Sequence, residues 1–444
     1  MTPIRPTRLE KWLSKRLGGL PLTRENLETR QLDLLNRTLA HAREKSLFYR
    51  EQLKASPARP LKELSQISSL PFTTAADVQR RHLDMLSVSH GDVARVVTMH
   101  TSGTSSAPKR LYFTREDIEQ NIDFFHHGLT CLAEPGQRAL VMLPGPTPDS
   151  AGDQLIRAME RVPIAGFLHW PVLDLDRILS EIEDRRIDCL VGAPSQVFAL
   201  CRHDQATGRL RPHTIKSILL STDYVPRVVA DELRKAWQCR VFEHYGMTEM
   251  GLGAALHCDA HQGFHLREAE LLIEVVDPES GAPLPPGVEG EVVFTTLTRE
   301  AMPLIRYRTG DRAAWLAEPC PCGSMMRRLG KVRGRIADLS TLPIPITMPQ
   351  LDEAILALPG LYSFQAAFDT RGGRDNVTVT LFCPEKDAQF LADRARAIIA
   401  GLLSSGSTPG RILRVETRLP EELRWDASGM IKRTIASPKA APGA

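Results

Sequence analysis

No stretch of these 444 residues approaches the roughly 20 consecutive apolar residues that a membrane-spanning helix needs. Long runs of one charge are missing as well. The 56 Lys and Arg face 53 Asp and Glu, a net charge of +3, so neither a nucleic acid nor a membrane surface finds a patch to hold. The opening MTPIRPTRLEKWLSKRL is basic and amphipathic but lacks the apolar centre of a secretory signal. Eight cysteines in a chain of this length do not read as a disulfide framework; reduced thiols and the cytoplasm are the expectation. There is no internal repeat and no G-x-x-x-x-G-K-S/T loop. What remains is a globular composition with average Gly and Pro, too long for one small core and expected to form two or three domains.

The pattern changes along the chain. Residues 1–85 read as a helical start, with Leu, Ala and Phe three and four apart in ENLETRQLDLLNRTLAHAREKSLFYREQL. In the middle, RALVMLPG, DCLVGAP, SILLSTD and RVFEHYG are short apolar runs that stop at Gly, Pro or polar residues. DLDRILSEIEDRR and PRVVADELRKAW between them carry helical spacing. Alternation of this kind predicts a parallel sheet covered by helices, with ligands outside the carboxyl ends of its strands. AELLIEVVDP and GEVVFTTL then read as hairpin strands of a small β subdomain. After GKVRGRIAD, about one hundred residues remain, enough for a small α+β domain. The expected fold is therefore α/β: an N-terminal domain over 1–337 and a C-terminal lid over 338–444.

TSGTSSAPKR, residues 101–110, lies between two strand-like runs, VARVVTMH and RLYFT. Hydroxyls, glycine and two cations suit either a solvated turn or a cradle for phosphate, and a tip between paired strands favours the cradle. With EHYGMTE, YRTGD, GKVRGRIAD and SGMIKR following in order, the chain resembles the adenylate-forming superfamily of acyl-CoA synthetases. LAHAREKSLFYREQL, LPFTTAADV and DPESGAPLPPGVEGEVVFTTLTREAMPLIRYRTGD are similar to its phenylacetate-CoA ligase branch. That resemblance implies an enzyme that joins a carboxylic acid to AMP with release of pyrophosphate, then passes the acyl group to coenzyme A. Its cofactors would be ATP and Mg²⁺, and a homodimer is expected.

By the same resemblance, Thr101, Ser102, Gly103, Thr104, Ser105 and Lys109 hold the β and γ phosphates. Tyr245, next to Gly246, packs on adenine, Thr248 donates to the α-phosphate and Glu249 helps hold Mg²⁺. Asp311 takes the ribose hydroxyls with Arg335 nearby, and Thr222 and Asp223 of STDYVP stand at the adenine. Two places depart from the family: Ser106 replaces a usual second glycine, and Met430 stands where relatives carry the lysine of the C-terminal motif. Lys432 serves instead if this segment is extended, since residues two apart share a face about 6.6 Å apart; in a helix it would be a solvated lysine. Two rival readings stay open: transfer to a carrier protein or other nucleophile, and a non-catalytic nucleotide-binding protein.

A second set lies outside the superfamily pattern. HCDAH and CPCG offer Cys258, His261, Cys320 and Cys322 as a tetrahedral structural zinc site, with His257 and His265 in reserve. Cys131, Cys189, Cys201 and Cys239 read as small core residues. His126 and His127 read as packing or rim residues, because a carboxylate substrate is already ionised at neutral pH and needs no base. Acyl specificity is expected from residues 143–150, 193–196, Tyr224 and 251–253, whose lack of cations favours an uncharged tail.

Overall fold

A computed structural model describes residues 8–56, 59–99, 108–336, 346–371, 374–403, 412–423, 433 and 435. Its helices are α1 Leu9–Arg16, α2 Arg24–Lys45, α3 Leu47–Gln52, α4 Ala75–Arg81, α5 Arg115–Leu132, α6 Ala151–Met159, α7 Leu175–Arg185, α8 Pro194–Thr207, α9 Arg227–Trp237, α10 Met348–Ile355 and α11 Ala388–Leu403. Strands β1 to β8 are Arg95–Met99, Lys109–Phe113, Arg138–Met142, Ala165–Leu168, Cys189–Gly192, Ser217–Leu220, Arg240–Tyr245 and Ala255–His257. Strands β9 to β16 are Phe264–Leu266, Leu271–Val276, Gly290–Thr296, Tyr307–Ala313, Arg328–Leu329, Ser363–Arg371, Arg374–Phe382 and Ile412–Arg418. The fold class is the mixed α/β arrangement read from the sequence, and every strand run quoted above lands on a strand. The chain groups into two compact units that interleave: residues 1–135, 147–163 and 242–333 form one, and 136–146, 164–241 and 334–444 the other.

In the first unit the N-terminal helices start where their caps dictate. Thr23, Thr74 and Thr114 each accept a backbone N–H of the first turn, with a reciprocal Asp closing the box at the last two. Strands β1 and β2 pair antiparallel, Met99 facing Lys109, so residues 100–108 are the tip that joins them. Strands β10, β11 and β12 form an antiparallel sheet. Its anchor is Arg306, 1% exposed, which pairs with Glu274 at 2.9 Å, donates to the carbonyls of Ser68 and Leu70, and lies 4.0 Å over Phe72. A buried charge is tolerable only with this degree of pairing. Strands β7, β8 and β9 continue antiparallel to β13.

In the second unit β4, β3, β5 and β6 are neighbours in a parallel sheet. Strand β5 is buried at every residue, which is why its run is continuously apolar rather than alternating. Helices α7 and α9 return the chain and bury Ile178, Leu179 and Ile182, and Val229, Ala230, Leu233 and Trp237. Each such side chain removed from water contributes about 1.5–3 kcal/mol. The C-terminal segment has its own sheet, β14–β15–β16, covered by α11. Its apolar residues, from Ile346 to Leu403, join one continuous core with Leu140, Phe198 and Trp237. The boundary expected at Asp338 lies in 337–345, outside the described residues.

Candidate active site

Three of the predicted positions meet in the first unit. Lys109 opens β2 directly after the loop, and its ammonium is hydrogen-bonded to Oε1 of Glu249. Tyr307, at the start of β12, donates its hydroxyl to the same oxygen at 3.1 Å and lies 3.5 Å from the Lys109 nitrogen. Glu249 is 2% exposed. Burial alone would push its carboxyl up, but the Lys109 charge and the hydrogen bonds outweigh that and hold it below the ordinary carboxylate value. The result is an ionised, nearly water-free carboxylate whose charge is balanced by one mobile cation.

The backbone around Glu249 explains the HYGMTE spelling. Strand β7 ends at Tyr245, and residues 248–250 form a single tight turn that exits through Gly251 at φ +78°. A Cβ on Gly246 would stand 2.1 Å from the carbonyl oxygen of Leu252, so this position admits no side chain. Arg299 clamps the turn from below by donating to the Glu249 carbonyl at 3.0 Å, its guanidinium 4.8 Å over Phe113. Full burial lowers Arg299 to about 10. Thr248 is half-buried at the start of the turn.

Tyr245 donates its hydroxyl to Oδ2 of Asp311 at 2.9 Å, and both side chains are buried. Asp311 sits on β12, with its backbone N–H on the Thr309 hydroxyl. The strand that carries the Glu249 turn is therefore tied to the strand that carries both Tyr307 and Asp311. Thr222, Asp223 and Arg335 belong to the second unit. Thr222 is exposed at φ +78°, while the Asp223 carboxylate accepts the N–H of Tyr224 at 2.8 Å and of Arg433 at 2.8 Å. Asp223 thus holds the C-terminal segment, a contact that no local sequence pattern announces. Thr101, Ser102, Gly103, Thr104, Ser105 and Lys432 lie outside the described residues. Two supports were missed in the sequence. Tyr307 was in plain view as the first letter of YRTGD; Arg299 had no motif around it.

The cysteine cluster forms, with one correction. Cys258, Cys320 and Cys322 gather with His265, not His261, and the four ligand atoms lie within 4.8 Å of one another, all buried. His261 is turned out by the left-handed turn after Cys258, φ +50°, and its ring rests 5.1 Å from Phe242. His265 is delivered instead by strand pairing, facing Leu256 on β8 and Arg328 on β13. The sulfurs of Cys258 and Cys320 are 3.6 Å apart and Cys322 is 3.5 Å from Nε2 of His265. Tetrahedral zinc with bonds of about 2.3 Å places sulfurs about 3.8 Å apart, so the cluster fits that ion. Hydrogen bonds from Cys258 and then His265 hold the Cys322 thiol far below its usual value. Asp123, His126 and His127 also converge, but Asp123 already accepts from Trp12 and Arg16.

Comparison with known proteins agrees with this geometry. The phenylacetate-coenzyme A ligase of Thermus thermophilus is 26% identical over 436 residues, 95% of each chain. That of Aromatoleum evansii is 28% identical over 373 residues, 80% of this chain and 82% of its own. Among solved structures, a 2-hydroxyisobutyryl-CoA ligase in the postadenylation state with 2-HIB-AMP superposes with a TM-score of 0.77 at 19% identity, covering 94% of this chain and 90% of that one. The family model for AMP-binding enzymes matches residues 34–297, more than half of the chain, and the protein belongs to that family.

Proposed function

We propose that this protein is an ATP-dependent, AMP-forming carboxylate-CoA ligase. The observation that carries the reading is the shared Glu249 oxygen: a buried, ionised carboxylate bonded to Lys109 and Tyr307, one strand from the Tyr245–Asp311 pair. Attack of a carboxylate on the α-phosphorus of ATP needs orientation and charge neutralisation more than proton transfer. Lys109 is placed to exchange its carboxylate partner for a phosphate oxygen. Glu249 would then offer its oxygens to Mg²⁺, which favours such hard donors and would supply charge neutralisation on the phosphates. Asp311 suits ribose hydroxyls with Tyr245 fixing its carboxylate. Thr101–Ser105, Thr222, Arg335 and Lys432 enter by resemblance alone, as does a lid over 338–444.

Coenzyme A is the proposed acceptor, in keeping with the relatives' names, and the acid is proposed to carry an uncharged tail. The zinc site is proposed as Cys258, His265, Cys320 and Cys322, bracing the segments that follow the Glu249 turn and β12. Among the described residues no helix is long and apolar enough to cross a membrane; a cytoplasmic homodimer is our working picture. The test is AMP release across a panel of aryl and aliphatic acids, with and without coenzyme A. Acid-dependent AMP and a CoA thioester are expected. AMP without thioester would point to another acceptor, and no AMP with any acid would overturn the reading.

A further inference from the structure

Arg433 is the described residue nearest to the centre of the C-terminal motif, directly after Lys432 in sequence, and its surroundings are built. Its backbone N–H donates to Oδ2 of Asp223 at 2.8 Å. Its guanidinium donates through Nε to Oδ1 of Asp352 at 2.8 Å, has Nη2 at 2.8 Å from the same oxygen, and reaches Oγ of Ser363 at 3.3 Å. The charged plane lies 4.4 Å over the ring of Phe364. The side chains of Arg433 and Asp352 are 8% and 3% exposed. One arginine thus ties together the loop after β6, helix α10 and strand β14.

The neighbouring residue of α10 completes the grip. Glu353 accepts the Tyr224 hydroxyl at 2.7 Å and the backbone N–H groups of Arg227 at 2.7 Å and Val228 at 3.3 Å, which are the open donors at the start of α9. Consecutive acids on one short helix therefore hold the 221–228 loop and the C-terminal motif to each other. A surface arginine has no need of such an arrangement, and a buried one left without its fork would strand the Asp352 charge.

We propose that Arg433 is a positioning residue for adenylation: it seats the SGMIKR segment on the 221–226 loop, and the first half-reaction requires that seat. The inference rests on the ligase reading above and on the resemblance that puts this loop at the adenine. Transfer of an acyl group from an adenylate already formed does not call on the seat.

The test separates the two halves in Arg433→Ala, Arg433→Lys and Asp352→Asn, with an acid chosen from the AMP-release panel. Pyrophosphate exchange reports adenylation, and thioester formation from supplied acyl-adenylate reports transfer. Arg433→Ala is expected to lower exchange at least about tenfold while transfer changes less than about threefold, and Arg433→Lys to recover part of the loss. Unchanged exchange, or equal loss of both halves, overturns the inference. If Arg433→Ala does not fold, Asp352→Asn carries the same comparison, and the same results support or overturn it. Absence of both activities from the unmutated protein overturns the ligase reading itself, a result visible before any variant is made.

Discussion

Glu249 is the residue on which most of the proposed chemistry turns. Its charge is useful because it is sheltered, and it stays ionised because Lys109 and Tyr307 are within reach. Glu249→Gln keeps the shape and the Tyr307 contact but removes the charge that Lys109 faces. We expect acid-dependent AMP release to fall by about 10²-fold or more, with a stability loss on the order of 3 kcal/mol from the stranded ammonium; kinetics and thermal unfolding measure the two separately. A loss of stability with full activity would remove Glu249 from the mechanism. Lys432→Ala is decided by pyrophosphate exchange, where unchanged exchange would return Lys432 to a solvated role.

At the level of elements, the tight turn between β7 and β8 admits one test of backbone shape. Gly246→Ala drives a methyl into the Leu252 carbonyl, so we expect more than about 2 kcal/mol of destabilisation and loss of activity; unaltered unfolding would mean the turn is not held as described. A second test concerns helix α10. Burial raises the Asp352 carboxyl to about 6, opposed by Arg433 and aided by Asp223 and Glu353, the other charged groups facing it. Because this value lies above the ordinary one, the fold takes up the proton before the unfolded chain does. This group's contribution to stability therefore improves, by up to about 3 kcal/mol, as pH falls from 6 towards 4. Adenylation is expected to move the other way, losing rate below about pH 6 as the Arg433 pair loses its charge, and Asp352→Asn should remove that limb of the profile.

These elements also show what sequence could and could not reveal. Strands β3, β5, β6 and β7 were legible because buried parallel strands spell themselves as short apolar runs between breakers, and Tyr245, Glu249 and Asp311 because motifs surround them. His265 was passed over for His261 because spacing along a chain says nothing of a ligand delivered by the pairing of β8, β9 and β13. Arg433 was quoted and not singled out. Its partners lie 81 and 210 residues away, and no local pattern encodes contacts of that reach.

For the molecule as a whole, the sulfur cluster predicts dependence on metal. Cys258 follows β8, and Cys320 and Cys322 precede β13, so an ion there would close a long excursion of the chain and stabilise the fold by binding only its native form. Protein purified without chelator is expected to carry about one zinc per chain. His265→Ala should lose it while His261→Ala retains it, and a chelator should lower the melting temperature of the unmutated protein. Zinc retained in His265→Ala would refute the ligand set.

The two compact units exchange the chain five times, at 135/136, 146/147, 163/164, 241/242 and 333/334. No single cut in the gene therefore yields either one intact. A product stopped at residue 337 would keep Phe198, Leu233 and Trp237 but be stripped of the leucines and phenylalanines from 346 onward that cover them. Such a fragment should come out of cells as aggregate, and evolution could have assembled this architecture only with both ends of the polypeptide already present.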